Sequence, residues 1–354
     1  MNTEKILDSL QKHWSQKIPF VLFSMPNSNI VTSFIQNNAT LFSCEKFTES
    51  AFIFAPFLFN GKALCIPERE SKVDKFIVFP SENDLNTLPI ATQDEKSTHI
   101  ALVSSILNEI KSKRVLKVVA SRKKEIPLKN FTIIELVKSV FANHSTTFRY
   151  VWYHPETGLW CGATPELLFQ SDGESFCTMA LAGTQKEVAG SEPHWNAKEI
   201  TEQEIVTEAI VNDLQKITAV IKTTKPISYK AGSLYHIKTE ITGIIKNSRS
   251  SLPKVANALH PTPAVCGMPK KTAKKIIESL ENYEREFYTG FLGPVFKKDN
   301  CAAIFVNLRC MKVEDNKASI YVGGGITADS EPESEWEETQ NKLATMYQVL
   351  QPLL

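Results

Sequence analysis

The stretch Tyr321–Leu343, YVGGGITADSEPESEWEETQNKL, passes from an extended apolar run through Gly323, Gly324 and Gly325 into a charged helical pattern. It constrains the fold strongly, because a strand, a close backbone approach and a helix must follow one another without a linker. Ser334 followed by Glu337 has the spacing of a capping box and places a helix start there. Glu335 and Glu338 then share one helical face, and Lys342 lies one turn further along it. A glycine turn ahead of that face lets backbone N–H groups approach an anion. Two carboxylates beside it suit a hard divalent cation. Two readings stand for this stretch alone: a metal-bridged site for a small polyanion, or acids that only complement the positive end of a helix.

The rest of the chain sets the scale. At 354 residues it is long enough for two domains or one large one. A hydrophobic content of 42% against 22% charged residues is that of a globular protein with a sizeable core. The net charge of +1 gives no bulk electrostatic reason to bind nucleic acid or a membrane surface. No apolar run reaches transmembrane length and the polar N-terminus shows no signal peptide, so the expected location is the cytoplasm. Seven cysteines without a CxxC read as reduced thiols, and no zinc spacing appears.

Apolar runs at Phe20–Phe23, Phe52–Phe59, Val115–Ser121, Phe148–Tyr153, Phe176–Ala180 and Ile304–Lys312 read as strands. Residues 1–13, Thr98–Ile110, Phe131–Phe141, Glu199–Ile221 and Lys271–Leu280 read as helices. Strands outnumber helices and the two interleave, which argues α+β. No GxGxxG or P-loop follows a strand, so a nucleotide fold has no support. The polar stretch Ser81–Glu95 separates an N-terminal part, residues 1–94, from a core of residues 95–354, the two forming one continuous domain.

Several side chains stand out from their surroundings. Lys117 in VLKVVASR shares a strand face with Val115 and Val119; a desolvated ammonium there has its pKa lowered toward that of a general base, or the lysine guards a sheet edge. Glu166 follows Thr164 and Pro165 in the pattern of a helix start, so a catalytic acid at that place must overcome the helix dipole through burial or nearby anions. Glu202 lies on the side of its helix that carries Ile205 and Val206, where a carboxylate needs a metal or an ion pair. Arg309, within the run VNLRCMKV, suits bidentate carboxylate binding or a surface ion pair. His260 and His236 are each as readily hydrogen-bonded core residues as functional ones.

In this order, KVVASR at Lys117, GATPELL at Gly162, LAGT at Leu181, KEITEQE at Lys198, LHPTPAVCG at Leu259, YEREFYTGFLG at Tyr283, LRC at Leu308 and the glycine-rich stretch at Gly323 resemble the chorismate-utilising enzymes over residues 95–350. The resemblance implies a large sandwich of antiparallel sheets flanked by helices, with the active site between its halves. It implies a magnesium ion held by Glu202 and Glu338, with Glu335 bound through water. Arg309, Lys342 and the backbone of Gly183 and Gly325 receive the substrate carboxylates, with Thr184, His236 and Ala264 also on the substrate. Lys117 is then the base and Glu166 the acid. Ala182 stands where the bacterial aminodeoxychorismate synthases carry a nucleophilic lysine. Lys117 and HPTPAVCG fit the isochorismate synthase branch, with the salicylate synthases next and a non-catalytic chorismate-binding subunit as the alternative of another class. Gln203 stands where many relatives have His, and GGG where others have GAG. The implied reaction feeds menaquinone or siderophore biosynthesis, uses chorismate and water, and needs no glutamine amidotransferase; a monomer is expected.

Overall fold

Apolar runs too short for a buried helix become strands here, and alternation decides which face each residue serves. In Phe20–Ser24 all five residues are buried, with Phe20 and Leu22 packing on one side and Val21 and Phe23 on the other. Ala51–Ala55 behaves likewise: Phe52 and Phe54 face one core, Ala51, Ile53 and Ala55 another. A strand buried on both faces needs a layer on each side, and the chain supplies two sheets between two helical layers. The computed structural model describes residues 3–80, 88–186, 193–231, 234–246, 252–297 and 301–354.

The first sheet has nine strands in the order Gly267–Met268, Lys117–Pro127, Lys317–Ile326, Cys310–Glu314, Gly158–Thr164, Phe148–His154, Phe20–Ser24, Ile30–Gln36 and Ser71–Ile77. The second has ten, in the order Thr218–Thr223, Leu234–Ile245, Ser175–Lys186, Leu167–Asp172, Cys301–Val306, Phe291–Phe296, Ala51–Ala55, Ala63–Pro67 and Phe42–Cys44, with Ile227–Ala231 also paired to Leu234–Ile245. Neighbours are antiparallel, as in Phe20↔Tyr153 and Gly325↔Val119. Residues before position 95 contribute strands to both sheets. The connection expected at Ser81–Glu95 lies partly outside the described residues; its end is Thr92, which caps the helix Gln93–Lys111 in a capping box with Glu95.

The sheets meet across a layer of aromatic rings. Phe148 stacks on Phe305 at 4.2 Å and Phe54 packs on Trp152 at 5.0 Å, each pair spanning the two sheets. Burying such a ring contributes about 1.5–3 kcal/mol. The helices Thr3–Ser15, Ile133–Ala142 and Pro332–Leu350 cover the outer face of the first sheet. Ala197–Gln215 and Leu252–Leu259 cover that of the second. Gln93–Lys111 and Lys270–Leu280 pack beside Val118, Ala120 and Ile326, at the end of the first sheet. Among the described residues no cysteine is in a disulfide.

Four local expectations are corrected. The helix read as Glu199–Ile221 ends at Gln215, and the β-branched run that follows forms the edge strand Thr218–Thr223 against Leu234–Ile245. The strand read as Ile304–Lys312 is two strands, one in each sheet, and Arg309 lies between them. The last helix starts at Pro332, not after Ser334, since proline suits a first turn; Ser334 and Glu337 are inside it and make no capping box. No helix starts at Pro165, because Thr164 ends one strand and Leu167 begins the next.

Candidate active site

Twice the chain steps from one sheet to the other at the same place. It leaves the first sheet at Thr164 and enters the second at Leu167; it leaves the second at Val306 and returns to the first at Cys310. The two crossings are bonded together. Val306 N donates to Glu166 O at 2.9 Å, Ala163 N to Arg309 O at 3.0 Å, and Thr164 Oγ1 to Val306 O at 2.6 Å. Asn307, fully buried, fixes the second crossing: its amide donates to Phe287 O and its oxygen accepts from the Tyr150 hydroxyl. Glu166 and Arg309 are therefore carried on a rigid seam between the sheets.

Glu166 thus escapes the helix dipole expected to oppose it. The Thr164 hydroxyl accepts from its backbone N–H at 3.3 Å, a local turn rather than a cap. Burial pushes its carboxyl up to about 7, against the opposing pull of Lys117 and Lys342. Arg309 adopts φ 45°, a left-handed conformation uncommon for a residue with a side chain. This aims its guanidinium at the helix Pro332–Leu350, where it donates to Thr345 Oγ1 at 2.8 Å. Burial lowers its pKa, and the Glu338 charge acts on it in the opposite sense.

Across the site, Gly323, Gly324 and Gly325 lie within the strand Lys317–Ile326, paired to Ser121, Ala120 and Val119. They form no turn, and the expectation of an anion-binding glycine turn is corrected. Their missing side chains make room instead. A Cβ on Gly324 would stand 3.0 Å from Glu335 Oε2 and 3.6 Å from Glu338 Oε1. One on Gly325 would stand 2.8 Å from Lys117 Cε. Gly324 thus leaves room for Glu335 and Glu338, and Gly325 for Lys117.

Lys117 opens the strand Lys117–Pro127, so Val115 is not on it. Its neighbour is polar rather than apolar: Nζ lies 3.4 Å from Glu202 Oε1, with side-chain exposures of 17% and 32%. Glu202 is half-buried, and Ile205 beside it is exposed; the buried stripe of its helix runs through Gln203, Val206, Ile210 and Leu214. Gln203 hydrogen-bonds Thr207 and Thr239, a structural role. Among the described residues the partner of Glu202 is Lys117, from another element. Lys342 donates to Gly323 O at 2.8 Å and pairs with Glu338 one turn before it.

His236 donates from Nδ1 to Gly183 O at 3.1 Å, and burial lowers its pKa; charges on Lys342, Glu338 and Lys117 reach it too. Gly183 has φ +69° at a bulge between Ala182 and Thr184, where a side chain would press on Glu199 and Ile237. The backbone of Thr184 pairs with His236, and its side chain lies outside the described residues. Ala264 is half-buried and lines a small cavity with Glu166. His260, by contrast, is a core residue bonded to Phe57 O at 2.9 Å.

Among the described residues no three His, Cys, Asp or Glu side chains already form a metal-holding group. The donor chemistry nevertheless fits a hard divalent cation. Glu335 Oε2 is buried without a hydrogen-bond partner, and Glu338 Oε1 lies beside the same glycine. Burial first, opposed by a Ser330 hydrogen bond and aided by Glu338, raises the Glu335 carboxyl. A cation between such carboxylates relieves that penalty. Sequence reasoning missed Thr345, although its spacing from Lys342 puts both on one helical face. It also missed Asn307, which precedes LRC, and Thr262, which lies within LHPTPAVCG without any signal of its own.

Residues 67–351 match the family model described as chorismate binding enzyme. The isochorismate synthase EntC of Escherichia coli (strain K12) is 30% identical over 305 residues, covering 81% of this chain and 77% of that one. The isochorismate synthase MenF of Bacillus subtilis (strain 168) is 29% identical over 279 residues, 76% of this chain and 59% of its own. A solved structure of a putative 2,3-dihydroxybenzoate-specific isochorismate synthase, DhbC from Bacillus anthracis, matches with a TM-score of 0.79 at 22% identity, covering 97% of this chain and 99% of that one. Anthranilate synthase component I from Streptococcus pneumoniae matches at 0.67 and 15% identity, covering 92% and 90%. The fold is shared by synthases with different products, so the choice of reaction rests on the site.

Proposed function

This chain belongs to the family of chorismate-binding enzymes, and on that premise we propose that it is an isochorismate synthase, adding water at carbon two of the chorismate ring as the carbon-four hydroxyl departs. The observation that carries the reading is Glu166. A carboxyl held at about 7, on a rigid seam and free of a helix dipole, keeps its proton near neutrality and suits a general acid. The names of the relatives support the same reaction.

Arg309 takes a substrate carboxylate through its planar fork, and Lys342 takes the second. Gly183 and Gly325 permit close approach of backbone to substrate, and Thr184, His236 and Ala264 are assigned to substrate contact. Lys117 removes a proton from the attacking water, and Glu202, 3.4 Å from Nζ, stabilises the ammonium that forms. As the new carbon–oxygen bond forms, both ring double bonds shift by one position and the carbon-four bond breaks. Glu166 gives its proton to the departing hydroxyl, which leaves as water. Lys117 then releases a proton to solvent and Glu166 regains one, so the cycle closes with no net change in protons. Glu202 and Glu338, with Glu335 through water, would hold a magnesium ion, which when bound neutralises and fixes the ring carboxylate.

Water as nucleophile requires no amidotransferase subunit, and the isochorismate formed would feed menaquinone or siderophore biosynthesis. Incubation with chorismate and magnesium, followed by chromatographic identification of the product, tests the proposal; isochorismate is expected. Salicylate with pyruvate would make it a salicylate synthase, and anthranilate in the presence of ammonium would move it to that branch. Binding without turnover would leave a non-catalytic chorismate-binding subunit.

A further inference from the structure

Beside Glu166 the fold encloses a cavity of about 20 Å³, lined among others by Thr178, Leu181, Thr262 and Ala264. Thr262 is 9% exposed. Its carbonyl is occupied by Val265 N and Cys266 N at 3.1 and 3.0 Å, so the backbone is fixed. Its hydroxyl has no hydrogen-bond partner among the described residues. Buried hydroxyls are almost always satisfied by protein or by ordered water, because leaving one unpaired is strongly unfavourable. The Thr178 hydroxyl donates to Leu168 O at 2.6 Å and still has a lone pair to accept with. A buried water needs about 10–15 Å³ and two to four polar partners. The cavity has the space, and Thr262, Thr178 and Glu166 are the polar residues that line it.

We propose that this cavity binds one water that links Thr262 Oγ1 to the Glu166 carboxyl, making Thr262 a positioning residue for the proton donor. The proposal rests on Glu166 being the acid. A carboxylic acid has two oxygens: one carries the proton toward the substrate, and the other accepts from the bound water. That bond fixes the plane of the carboxyl. Because it is stronger to the ionised form, it also holds the pKa below the value burial alone would set. The charged groups acting on Glu166 are Lys117 and Lys342, and a change at position 262 leaves both in place.

The test compares wild type, Thr262→Val, which keeps the shape and removes the hydroxyl, and Thr262→Ser, which keeps the hydroxyl. In the valine variant kcat should fall about tenfold, less than the roughly 10²–10⁴-fold loss typical when an acid itself is removed. KM should stay within about twofold, since the water touches the acid and not the substrate. The alkaline limb of the pH–rate profile should move upward, the melting temperature should drop, and serine should restore all of these. A valine variant that melts higher than wild type shows that the hydroxyl was unsatisfied and overturns the proposal. An unmoved alkaline limb overturns it whatever the stability. If the wild-type protein does not convert chorismate, the reading of the function fails by itself, and the melting comparison still decides whether the hydroxyl has a water partner.

Discussion

Glu166→Gln tests the site through stability rather than turnover. Burial holds Glu166 at about 7 against an ordinary value of 4.5, so the folded protein binds this proton more tightly than the unfolded chain does. Between those two values the folded state keeps a proton that the unfolded chain has lost. The contribution is therefore fully favourable below 4.5, and stability falls as pH rises to about 7 and levels off above it. Each tenfold change in proton affinity is about 1.4 kcal/mol, which makes the ionised carboxylate unfavourable by about 3 kcal/mol in a fully shielded site. Glu166 is half-buried, and allowing for solvent screening leaves about 2 kcal/mol. Glutamine has no charge to desolvate. Relative to wild type, Glu166→Gln should thus be about 2 kcal/mol more stable at pH 8.5 than at pH 4, while nearly inactive. Urea unfolding of both proteins at both pH values measures this. An equal stability difference at the two pH values would refute the reasoning, because the carboxyl would then pay no desolvation penalty in the folded state.

Three further outcomes follow from the same geometry. Lys117→Ala should lose about 10²–10⁴ in turnover, equally in both directions of the isomerisation, while calorimetry shows that chorismate still binds with magnesium; near-normal turnover would give water another base. Chelation with EDTA should abolish activity and magnesium should restore it, and full activity in metal-free buffer would remove the cation from the account. Arg309→Lys should lower kcat/KM by about 10–100-fold although the charge is kept, because an ammonium cannot reproduce the fork; an unchanged specificity constant would make Arg309 a structural residue.

Much of the layered fold was legible because strands buried on both faces are short continuous apolar runs and the helices carry one apolar stripe. Phe20–Phe23 and Phe52–Phe59 read as strands that way, and Thr98–Ile110 and Lys271–Leu280 as helices; the structure sets them at Phe20–Ser24, Ala51–Ala55, Gln93–Lys111 and Lys270–Leu280. What could not be read was which sheet a strand enters. Ile304–Lys312 reads as one mostly apolar run broken only by Asn307 and Arg309, yet the chain changes sheets there, and the partners of Asn307 and the left-handed φ of Arg309 mark it. The crossing at Pro165–Glu166 hid for a similar reason, since TPE has the local pattern of a helix start and long-range pairing overrules it. Glu335, Glu338 and Lys342 were legible from helical spacing. The glycines were recognised as important for the wrong geometric reason: inside a strand, Gly324 and Gly325 are set by clearance for Glu335 and Lys117, and that requirement comes from other segments of the chain. The Lys117–Glu202 pair joins a strand to a helix, so no local pattern could announce it.

The central claim is that solvent water attacks carbon two while Glu166 expels the carbon-four hydroxyl. Turnover of chorismate in water enriched in oxygen-18, with the products separated and weighed by mass spectrometry, tests it most directly. The account predicts isochorismate carrying the heavy oxygen at carbon two, and recovered chorismate acquiring it at carbon four as the reverse reaction proceeds. Isochorismate formed without label, or anthranilate formed in its place when ammonium is present, would contradict it.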